Sequence, residues 1–473
     1  MVFNSLTFIL FFITILILHN LPFSWKVKKF NLLIASYIFY AAWSPPFVLL
    51  LMVATVIDWF VAQWMAKTED HKRRKLILLI SIGANLGMLS YFKYGNFLIS
   101  NFGSLVNTLG IEYHPPQPSI ILPIGISFYT FVTLSYTIDV YRRKIRPPDS
   151  FLDYALLITF FPHLVAGPIL RASQFLPQCL EPKKATAQQL GWGLALMVFG
   201  LFQKVVLADG FLAPVVDKIF GMKGDVSWTQ GWLGAFAFAA QVFFDFDGYS
   251  ICAIGAAMCL GFVFPDNFRF PFASVGFSEF WNRWHISLST WFRDYVYIPL
   301  GGNREGAIRT YFNLTFVMII SGFWHGAAWQ FIVFGIMHSI YLIGEQIIRK
   351  IFAGFNKFEN RSGRLFLTLL TFFLFVFSMI MFRSAGLSNA LKMYWAMITG
   401  AVSEHILYNN AQAICAVVVI IGVFTFHYFM KNISLEEVAA KLPWWITYLI
   451  LFGMILSIIL IPGENQAYVY FQF

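Results

Sequence analysis

The chain alternates long apolar segments with short polar loops, and this pattern predicts a series of membrane-spanning helices. Residues 2–20 form the first apolar segment, and further spans are expected near 30–43 and 46–65. A Ser-Pro-Pro sequence at 44–46 separates the latter two, because proline interrupts a helix. A spanning helix takes about 20 residues, so the apolar segments indicate roughly ten to twelve spans or half-spans.

Three segments depart from a plain spanning pattern. Residues 76–112 contain Lys93 and need a net single crossing, which predicts that one part is short or re-entrant. Residues 119–140 place proline and glycine at membrane depth, which requires a broken helix whose freed backbone is covered by protein or water. Segment 161–171 also contains proline and glycine, and it is predicted to be re-entrant for the same reason.

Composition supports a membrane protein. Hydrophobic residues make up 59% of the chain and charged residues 12%, with a mean hydropathy of +0.69. Soluble domains have about 45–50% apolar and about 25% charged residues. The pattern therefore predicts a single all-α polytopic domain over residues 1–473, with its core motifs at 119–340.

Positive charge is concentrated in short loops, and its position predicts the membrane orientation. The net charge is +10, but an excess of Lys and Arg in short loops marks the cytoplasmic side of a membrane protein. Three crossings from an outside N-terminus place loops 26–29 and 67–75 in the cytoplasm, and loop 142–146 follows on the same side. We therefore expect the lipid bilayer as a partner and no nucleic acid.

Residues 277–329 hold the main candidate chemistry. Apolar residues recur at three-to-four spacing over 278–295, which predicts one amphipathic helix with His285 between its two faces. His325 lies in an apolar region, where an ionisable residue indicates function because its burial in lipid is costly. An imidazole is suited to general-base chemistry near neutral pH.

The setting of the two histidines differs. Gly322 and Gly326 are expected to let backbone or substrate come close to His325, because glycine has no side chain. His285 lies beside Trp281 and Ser289, and a histidine in such a position is more often structural.

A second polar group lies in the apolar segment 229–264. Asp245 and Asp247 are two positions apart and point in different directions on a helix, so a paired acid–base dyad is not expected. No ligand set gathers around them and the cysteines lack metal-type spacing, so no metal site is predicted. The favoured interpretation is an ion pair with Arg269, Arg283 or Arg293. Tyr249 is interpreted either as a substrate hydrogen-bond donor or as a packed aromatic.

The longest motifs carry a family resemblance. They are residues 122–141, 164–178, 279–304 and 321–329. In these motifs the chain resembles the membrane-bound O-acyltransferase family. It is most similar to the bacterial branch that includes the membrane component of alginate O-acetylation and the D-alanyl carrier of teichoic-acid modification. The resemblance covers most of the chain.

The resemblance implies a fold and an activity. The fold is a helical bundle with re-entrant segments around a central channel. His325 matches the family's catalytic histidine, and His285 matches the second histidine of the bacterial branch. Acetyl-CoA would supply the acyl group from the cytoplasm without a bound cofactor, and a periplasmic acetyltransferase would pass it to an exported polysaccharide of alginate type. The protein would lie in the bacterial inner membrane with a periplasmic N-terminus.

Two alternatives stay open at this point. O-acetylation of cellulose or peptidoglycan would use the same residues on another acceptor. A proton-coupled membrane transporter would use intramembrane His and Asp side chains as a relay. Such transporters often contain inverted repeats, whereas the polar motifs here concentrate in residues 240–330.

The substrate-binding residues are less determined than the histidines. The candidates are Asn303, Ser321, Asp247, Tyr249 and Trp324. His285 would either orient the acceptor or hydrogen-bond the developing oxyanion. The family's usual acid is replaced by Ile251, and Asp247 stands one helical turn earlier on the same face. Asp247 either takes over the role of that acid or is a solvated or ion-paired structural residue.

Overall fold

The structure is a computed structural model that describes the chain except residues 114, 117, 223–225, 352–359, 403–407, 462, 464–467 and 469–473. The described residues fold into helices and include no β-strand. The prediction of an all-α fold is therefore confirmed.

The first half of the chain contains many helices of unequal length. In chain order they are α1 (Leu6–Asn20), α2 (Trp25–Ala41), α3 (Pro45–Lys67), α4 (His71–Leu89), α5 (Gly95–Thr108), α6 (Ile126–Tyr141), α7 (Phe151–Thr159), α8 (Phe161–Leu164), α9 (Ala172–Leu180), α10 (Ala187–Leu201) and α11 (Ala213–Phe220). Two π-helical segments, Ser90–Tyr94 and Phe202–Leu212, connect α4 to α5 and α10 to α11.

The second half begins with the longest α-helix described. The helices are α12 (Trp228–Cys259), α13 (Phe277–Trp281), α14 (Ile286–Phe292), α15 (Ala307–His325), α16 (Trp329–Ile351), α17 (Arg361–Arg383), α18 (Leu387–Thr399), α19 (Asn410–Met430), α20 (Leu435–Lys441) and α21 (Trp444–Leu460). A 3₁₀ turn at Pro271–Ala273 precedes α13, and a π-helical segment at Arg293–Tyr297 follows α14.

Seven helical segments of the described chain are long and apolar enough to cross a membrane. They are Pro45–Lys67, His71–Thr108, Ala187–Phe220, Trp228–Cys259, Trp329–Ile351, Arg361–Arg383 and Asn410–Met430. The helices α1 and α21 are apolar but shorter. The protein is thus a multi-pass membrane protein, with fewer full-length candidate spans than the apolar pattern suggested.

The prediction of a short or re-entrant part within residues 76–112 was wrong. His71–Thr108 is one continuous helical segment of 38 residues. The π-helical turn at Ser90–Tyr94 contains Lys93 and keeps the chain helical. In such a turn each backbone hydrogen bond joins residues five positions apart instead of four, so the helix continues without a break.

The predicted interruption of 119–140 is confirmed. The helix α6 begins only at Ile126, and Gly125 before it has a φ of 76°. A Cβ at Gly125 would lie 2.6 Å from the carbonyl oxygen of Leu164, so both the backbone conformation and the close contact require glycine. Leu164 ends the four-residue helix α8, which confirms that 161–171 is interrupted, while its re-entrant course stays a prediction.

The chain divides into two compact units. The first comprises Met1–Leu194 with Ala253–Pro265, and the second comprises Ala195–Cys252 with Asp266–Phe473. The assignment of one domain to the whole chain, and the central channel that the family resemblance implies, stay predictions.

A buried polar network joins α3, α4 and α6 within the first unit. The carboxylate of Asp58 accepts hydrogen bonds from Ser81 Oγ at 2.5 Å and from Asn85 Nδ2 at 2.8 Å. Thr133 Oγ1 donates to Asn85 Oδ1 at 3.0 Å. Because a buried polar group is costly unless it is hydrogen-bonded, these bonds help to fix how the three helices pack.

The second unit contains every residue that the sequence proposes for chemistry. Within it, α10 and α12 cross at two glycines. A Cβ at Gly200 would lie 2.4 Å from the carbonyl oxygen of Gly248, and a Cβ at Gly248 would lie 2.6 Å from that of Gly200. The two backbones therefore touch where the Asp245–Ser250 part of α12 passes the start of the π-helical segment.

Candidate functional site

His325 is positioned by a tight hairpin between α15 and α16. A Cβ at Gly322 would lie 2.2 Å from the carbonyl oxygen of Phe331, and a Cβ at Gly335 would lie 2.3 Å from that of Met318. The two helices are therefore in backbone contact, which confirms the expected close approach at Gly322. α15 ends at His325 because Gly326 has an extended backbone, with φ −160° and ψ 147°.

Gly326 was expected to let backbone or substrate come close to His325, and in the structure an aromatic ring lies beside it. A Cβ at this position would lie 2.1 Å from the ring of Phe331. The absence of a side chain at Gly326 thus admits the ring of Phe331 from α16. The hairpin glycines thus serve packing of the helix pair that carries His325.

The imidazole of His325 is buried among aromatic rings of the second unit. Its ring centroid lies 5.0 Å from that of Trp324, 5.1 Å from that of Phe382 and 6.4 Å from that of Phe334. Such walls exclude water from the imidazole, and electrostatic interactions are stronger where water is excluded.

His285 lies at a break that was not predicted. The expectation of one amphipathic helix over 278–295 was wrong, because α13 ends at Trp281 and α14 begins at Ile286. His285 between them has φ 44° and ψ 54°, a left-handed conformation that is uncommon for residues other than glycine. The side chain is thereby turned inward, and it is 1% exposed.

The strained conformation of His285 is held by a neighbouring segment. The backbone N–H of Ile286 donates to the carbonyl oxygen of Asn267 at 2.8 Å, and that of Arg269 donates to the carbonyl oxygen of Arg283 at 2.9 Å. These bonds join residues 267–269 to the break between α13 and α14. Strained backbone persists where surrounding contacts over-determine it.

The side chain of Asn267 makes a second set of contacts with the same break. Its Oδ1 lies 3.1 Å from His285 Nδ1, 2.8 Å from Ser287 Oγ and 3.4 Å from the backbone nitrogen of Ser287. Its Nδ2 donates to Ser250 Oγ of α12 at 3.1 Å. Asn267 therefore connects α12 to the histidine.

The other imidazole nitrogen of His285 is buried and has no hydrogen-bond partner among the described residues. The rings of Phe246 and Phe268 lie 4.6 Å and 6.3 Å from the imidazole, centroid to centroid. Burial lowers the pKa of His285 to about 3, so the imidazole is neutral near pH 7. A neutral imidazole with an unused nitrogen can accept a proton or a hydrogen bond.

The two histidines meet at one tryptophan. The ring centroid of Trp324 is 6.1 Å from that of His285 and 5.0 Å from that of His325. All three residues are at most 6% exposed. The structure thus brings together the break after α13 and the end of α15, and two buried imidazoles flank one indole.

This pair lies in a chain whose relatives can be identified. Residues 37–391 match the membrane-bound O-acyltransferase family. The chain belongs to this family. It is therefore an O-acyltransferase that spans the membrane several times, as predicted, and the transporter alternative is not supported.

Several relatives of this acyltransferase have names that state their acceptors. The probable alginate O-acetylase AlgI of Pseudomonas putida is 37% identical over 87% of this chain and 83% of its own length. The peptidoglycan O-acetyltransferase of Helicobacter pylori is 34% identical over 78% of this chain and 73% of its own length. The teichoic acid D-alanyltransferase of Streptococcus thermophilus is 33% identical over 63% of this chain and 77% of its own length.

The carboxylates of α12 in this acyltransferase do not pair as predicted. Asp245 pairs with Lys204 of the π-helical segment at 2.5 Å, and Lys204 also pairs with Asp209 at 2.9 Å. The three predicted arginines bind other carboxylates; they are Arg269 with Asp266, Arg283 with Glu279, and Arg293 with Asp294. An ion pair was the correct kind of interaction, but its partner comes from a helix distant in sequence.

Asp247 and Tyr249 are both buried on α12. Only 7% of Asp247 is exposed, so it is not a solvated residue. Tyr249 packs edge-on against Tyr468, with ring centroids 4.5 Å apart. The packed-aromatic interpretation of Tyr249 therefore fits the structure, and its role toward substrate stays a prediction.

The remaining candidates differ in their relation to the histidine pair. Ser321 is buried on α15 one helical turn before His325, so the two side chains share a face. Asn303 lies exposed in the turn before α15, in contrast to the buried histidines. Trp324 is the predicted candidate whose ring lies near both imidazoles, while its role toward substrate stays a prediction.

Asn267 and Ser250 were not among the residues predicted from the sequence. Asn267 follows Pro265 and Asp266 in a loop, where an asparagine is ordinary. Only its burial, with 1% exposure, and its four polar contacts distinguish it. Ser250 lies three residues after Asp247 on α12, and this nearness to a candidate residue was the one signal that the sequence contained.

A charged cluster supports α13 just before the break. Glu279 accepts from Arg283 Nε at 2.9 Å, from Lys431 Nζ at 2.9 Å and from the backbone N–H of Val275 at 2.8 Å. Burial alone would raise the pKa of Glu279, but the Val275 N–H and the two cations lower it overall. The cluster ties α13 to the residue that follows α19.

Proposed function

We propose that this acyltransferase moves an acetyl group from cytoplasmic acetyl-CoA for O-acetylation of an exported polysaccharide of alginate type. The observation that carries the proposal is that two buried imidazoles, those of His285 and His325, both lie beside the ring of Trp324. Acyl transfer to a hydroxyl needs a base in a water-poor site, and His325 has that setting.

The proposed chemistry is direct. His325 takes the proton of the acceptor hydroxyl while the hydroxyl oxygen attacks the thioester carbonyl, so that a C–O bond forms. The C–S bond then breaks, and the leaving thiolate takes the proton from the His325 imidazolium. His325 therefore ends each turnover neutral, as it began. General-base catalysis of this kind contributes about 10²–10⁴-fold to a rate.

The acceptor is proposed from the relatives that extend over most of the chain. The alginate-type relative covers more of this chain than the peptidoglycan-type relative does. A periplasmic acetyltransferase would receive the group on the outer side and pass it to the polymer. Peptidoglycan acetylation is the second candidate, because the Helicobacter pylori protein is 34% identical; cellulose acetylation stays an alternative.

Mass spectrometry of the surface polymers tests the acceptor. A strain that lacks the chain is expected to lose O-acetyl esters from its alginate-type polysaccharide, and the wild-type chain restores them while His325→Gln does not. Loss of O-acetyl esters from peptidoglycan, with no change in the polysaccharide, would refute the alginate-type acceptor and would identify peptidoglycan as the acceptor. In nanodiscs, wild-type protein is expected to consume acetyl-CoA labelled in its acetyl group; no consumption with the partner and polymer present would refute the donor.

We also propose that the protein lies in the bacterial inner membrane with its N-terminus in the periplasm. The basic loop at 142–146 supports a cytoplasmic position for that loop. In a cysteine-free background, Lys144→Cys is expected to react with an impermeant maleimide only after the inner membrane is permeabilised. Reaction in intact cells would invert the orientation.

A further inference from the structure

The proposed function leaves two roles open for His285, namely to orient the acceptor or to stabilise the oxyanion. The two roles need different protonation of the same nitrogen. Nε2 must carry a lone pair to accept a hydrogen bond from a hydroxyl, and it must carry a proton to donate to an oxyanion. The tautomer of the neutral imidazole therefore decides between them.

The contacts of Asn267 settle which end of its amide faces His285. A backbone N–H can only donate, and that of Ser287 lies 3.4 Å from the Asn267 atom that also lies 3.1 Å from His285 Nδ1. An amide nitrogen there would oppose donor to donor, so the atom is the oxygen. The amide nitrogen then faces Ser250 Oγ at 3.1 Å, where a hydroxyl can accept.

The orientation of the Asn267 amide determines which nitrogen of the His285 imidazole carries the proton. An amide oxygen only accepts, so His285 Nδ1 must carry the proton that is shared with it. The remaining nitrogen, Nε2, then holds a lone pair. It is buried without a hydrogen-bond partner among the described residues, which is costly unless another molecule supplies a donor.

We propose that Asn267 is a positioning residue that holds His285 in the tautomer whose Nε2 accepts a hydrogen bond from the acceptor hydroxyl. His285 then orients the acceptor, while His325 removes its proton. This inference rests on the proposed acyl transfer for the identity of the donor to Nε2. The tautomer itself rests only on the contacts of Asn267, and it holds whether or not the substrate is a polysaccharide.

Nitrogen NMR tests the tautomer without any variant of Asn267. The full chain, labelled with ¹⁵N-histidine in nanodiscs, is compared with His285→Gln to find the signals of His285. A protonated Nδ1 and an unprotonated Nε2 are expected near neutral pH. A proton on Nε2 in the wild-type protein overturns the proposal, even if acetyl transfer is found; failure of acetyl transfer with the expected tautomer would refute only the proposed function.

Three variants test the consequence for activity. Asn267→Ala is expected to mix the two tautomers and lower kcat by about 10–100-fold, as loss of the partner of a functional histidine does, with little change in the KM for the donor. Asn267→Asp keeps an acceptor toward Nδ1 and is expected to restore both the tautomer and most of the activity. Ser250→Ala removes only the contact on the far side of the amide and is expected to keep the tautomer.

The rescue separates positioning from simple packing. If Asn267→Asp is as inactive as Asn267→Ala while both are folded, an acceptor toward Nδ1 is not what the reaction needs, and the proposal fails. If Asn267→Ala does not fold, the wild-type NMR signals and the Asn267→Asp variant still decide it.

Discussion

The indole ring of Trp324 lies 6.1 Å from the imidazole of His285, although the two residues belong to separate motifs of the chain. The contact exists because α15 ends one residue after Trp324 and because the break after α13 turns His285 inward. The candidate site of this acyltransferase is therefore assembled by two chain interruptions that lie against one aromatic side chain.

Replacement of His325 is the first prediction. His325→Gln is expected to lower acetyl transfer by about 10²–10⁴-fold, because the amide cannot act as a general base. The matched control is His338→Gln on α16, since His338 is also buried and its Nε2 contacts Ser378 Oγ at 3.0 Å. Transfer is measured with labelled acetyl-CoA at equal protein levels. Equal activity of His325→Gln and wild type would remove His325 from the mechanism.

The glycines of α15 and α16 give a matched pair of stability predictions. Gly322→Ala places a Cβ 2.2 Å from the Phe331 carbonyl oxygen, and overpacking of this kind costs about 1–3 kcal/mol or more. Gly344→Ala meets nothing within 4 Å and is expected to be neutral, or stabilising by about 0.5–1 kcal/mol from helix propensity. Thermal unfolding in detergent compares the two. A stable Gly322→Ala would contradict the backbone contact.

Lys204 is expected to be essential for stability. It lies between Asp209 and Asp245, and all three side chains are at most 3% exposed. Lys204→Met leaves two buried carboxylates without their cation, a change that costs on the order of 3–5 kcal/mol. Additional Asp209→Asn and Asp245→Asn changes should restore most of the loss. Arg73→Met is the control, because its pair with Asp70 is exposed and such pairs contribute about 0–1 kcal/mol.

Ionisation of Glu279 in its cluster is expected to make the stability of the protein fall at acid pH. The pKa of Glu279 is lower in the folded protein than the ordinary value of 4.5 for a glutamate side chain, so the folded state favours the ionised form. Its contribution is therefore complete above pH 4.5 and is lost as the pH falls through the lowered pKa. In Glu279→Gln, the unfolding temperature is therefore expected to fall less at acid pH than it does in the wild-type protein.

The control for this measurement is Glu305→Gln, whose contact with Arg309 is longer, at 3.6 Å, and exposed. Glu305→Gln should leave the fall of the unfolding temperature at acid pH as it is in the wild-type protein. If the unfolding temperature fell equally at acid pH in wild type and in Glu279→Gln, ionisation of Glu279 would contribute nothing to stability.

Asp247 is expected to perform the role of the family's acid at the position of Ile251. It is buried on α12, and Ile251 follows it by one turn, so the two positions share a face. Asp247→Ser should lower acetyl transfer, and Ile251→Asp added to it should restore activity. Unchanged acetyl transfer in Asp247→Ser would limit this residue to a structural role.

The sequence predicted the helical elements well, because apolar length directly reflects the thickness of the bilayer. It placed a break before Ile126, since Pro123 and Gly125 act locally. It did not predict the break at His285, because the left-handed backbone there depends on Asn267, 18 residues earlier, through tertiary hydrogen bonds. Local spacing over 278–295 is helical, and the tertiary contact overrides it.

The histidines were predicted as site residues, whereas their supporting residues were not. The ion pair of Asp245 with Lys204 joins residues 41 positions apart, and no local pattern distinguishes Lys204 from the three arginines that were predicted. Asn267 is likewise defined by four contacts that exist only in the folded chain. Residue type identifies a reactive group, but the groups that orient it depend on how the helices pack.

The π-helical segment Phe202–Leu212 has a consequence for how this chain tolerates changes in length. Lys204 and Asp209 are five residues apart, and in an α-helix such residues are rotated about 140° from one another. The wider winding of a π-helix aligns them. Deletion of one residue between them would place the two charged residues four positions apart, a spacing at which an ordinary α-helix holds side chains on one face. The Lys204–Asp209 pair is therefore compatible both with the π-helical segment and with an α-helix that is one residue shorter, so loss of one residue here would not by itself separate the two charges.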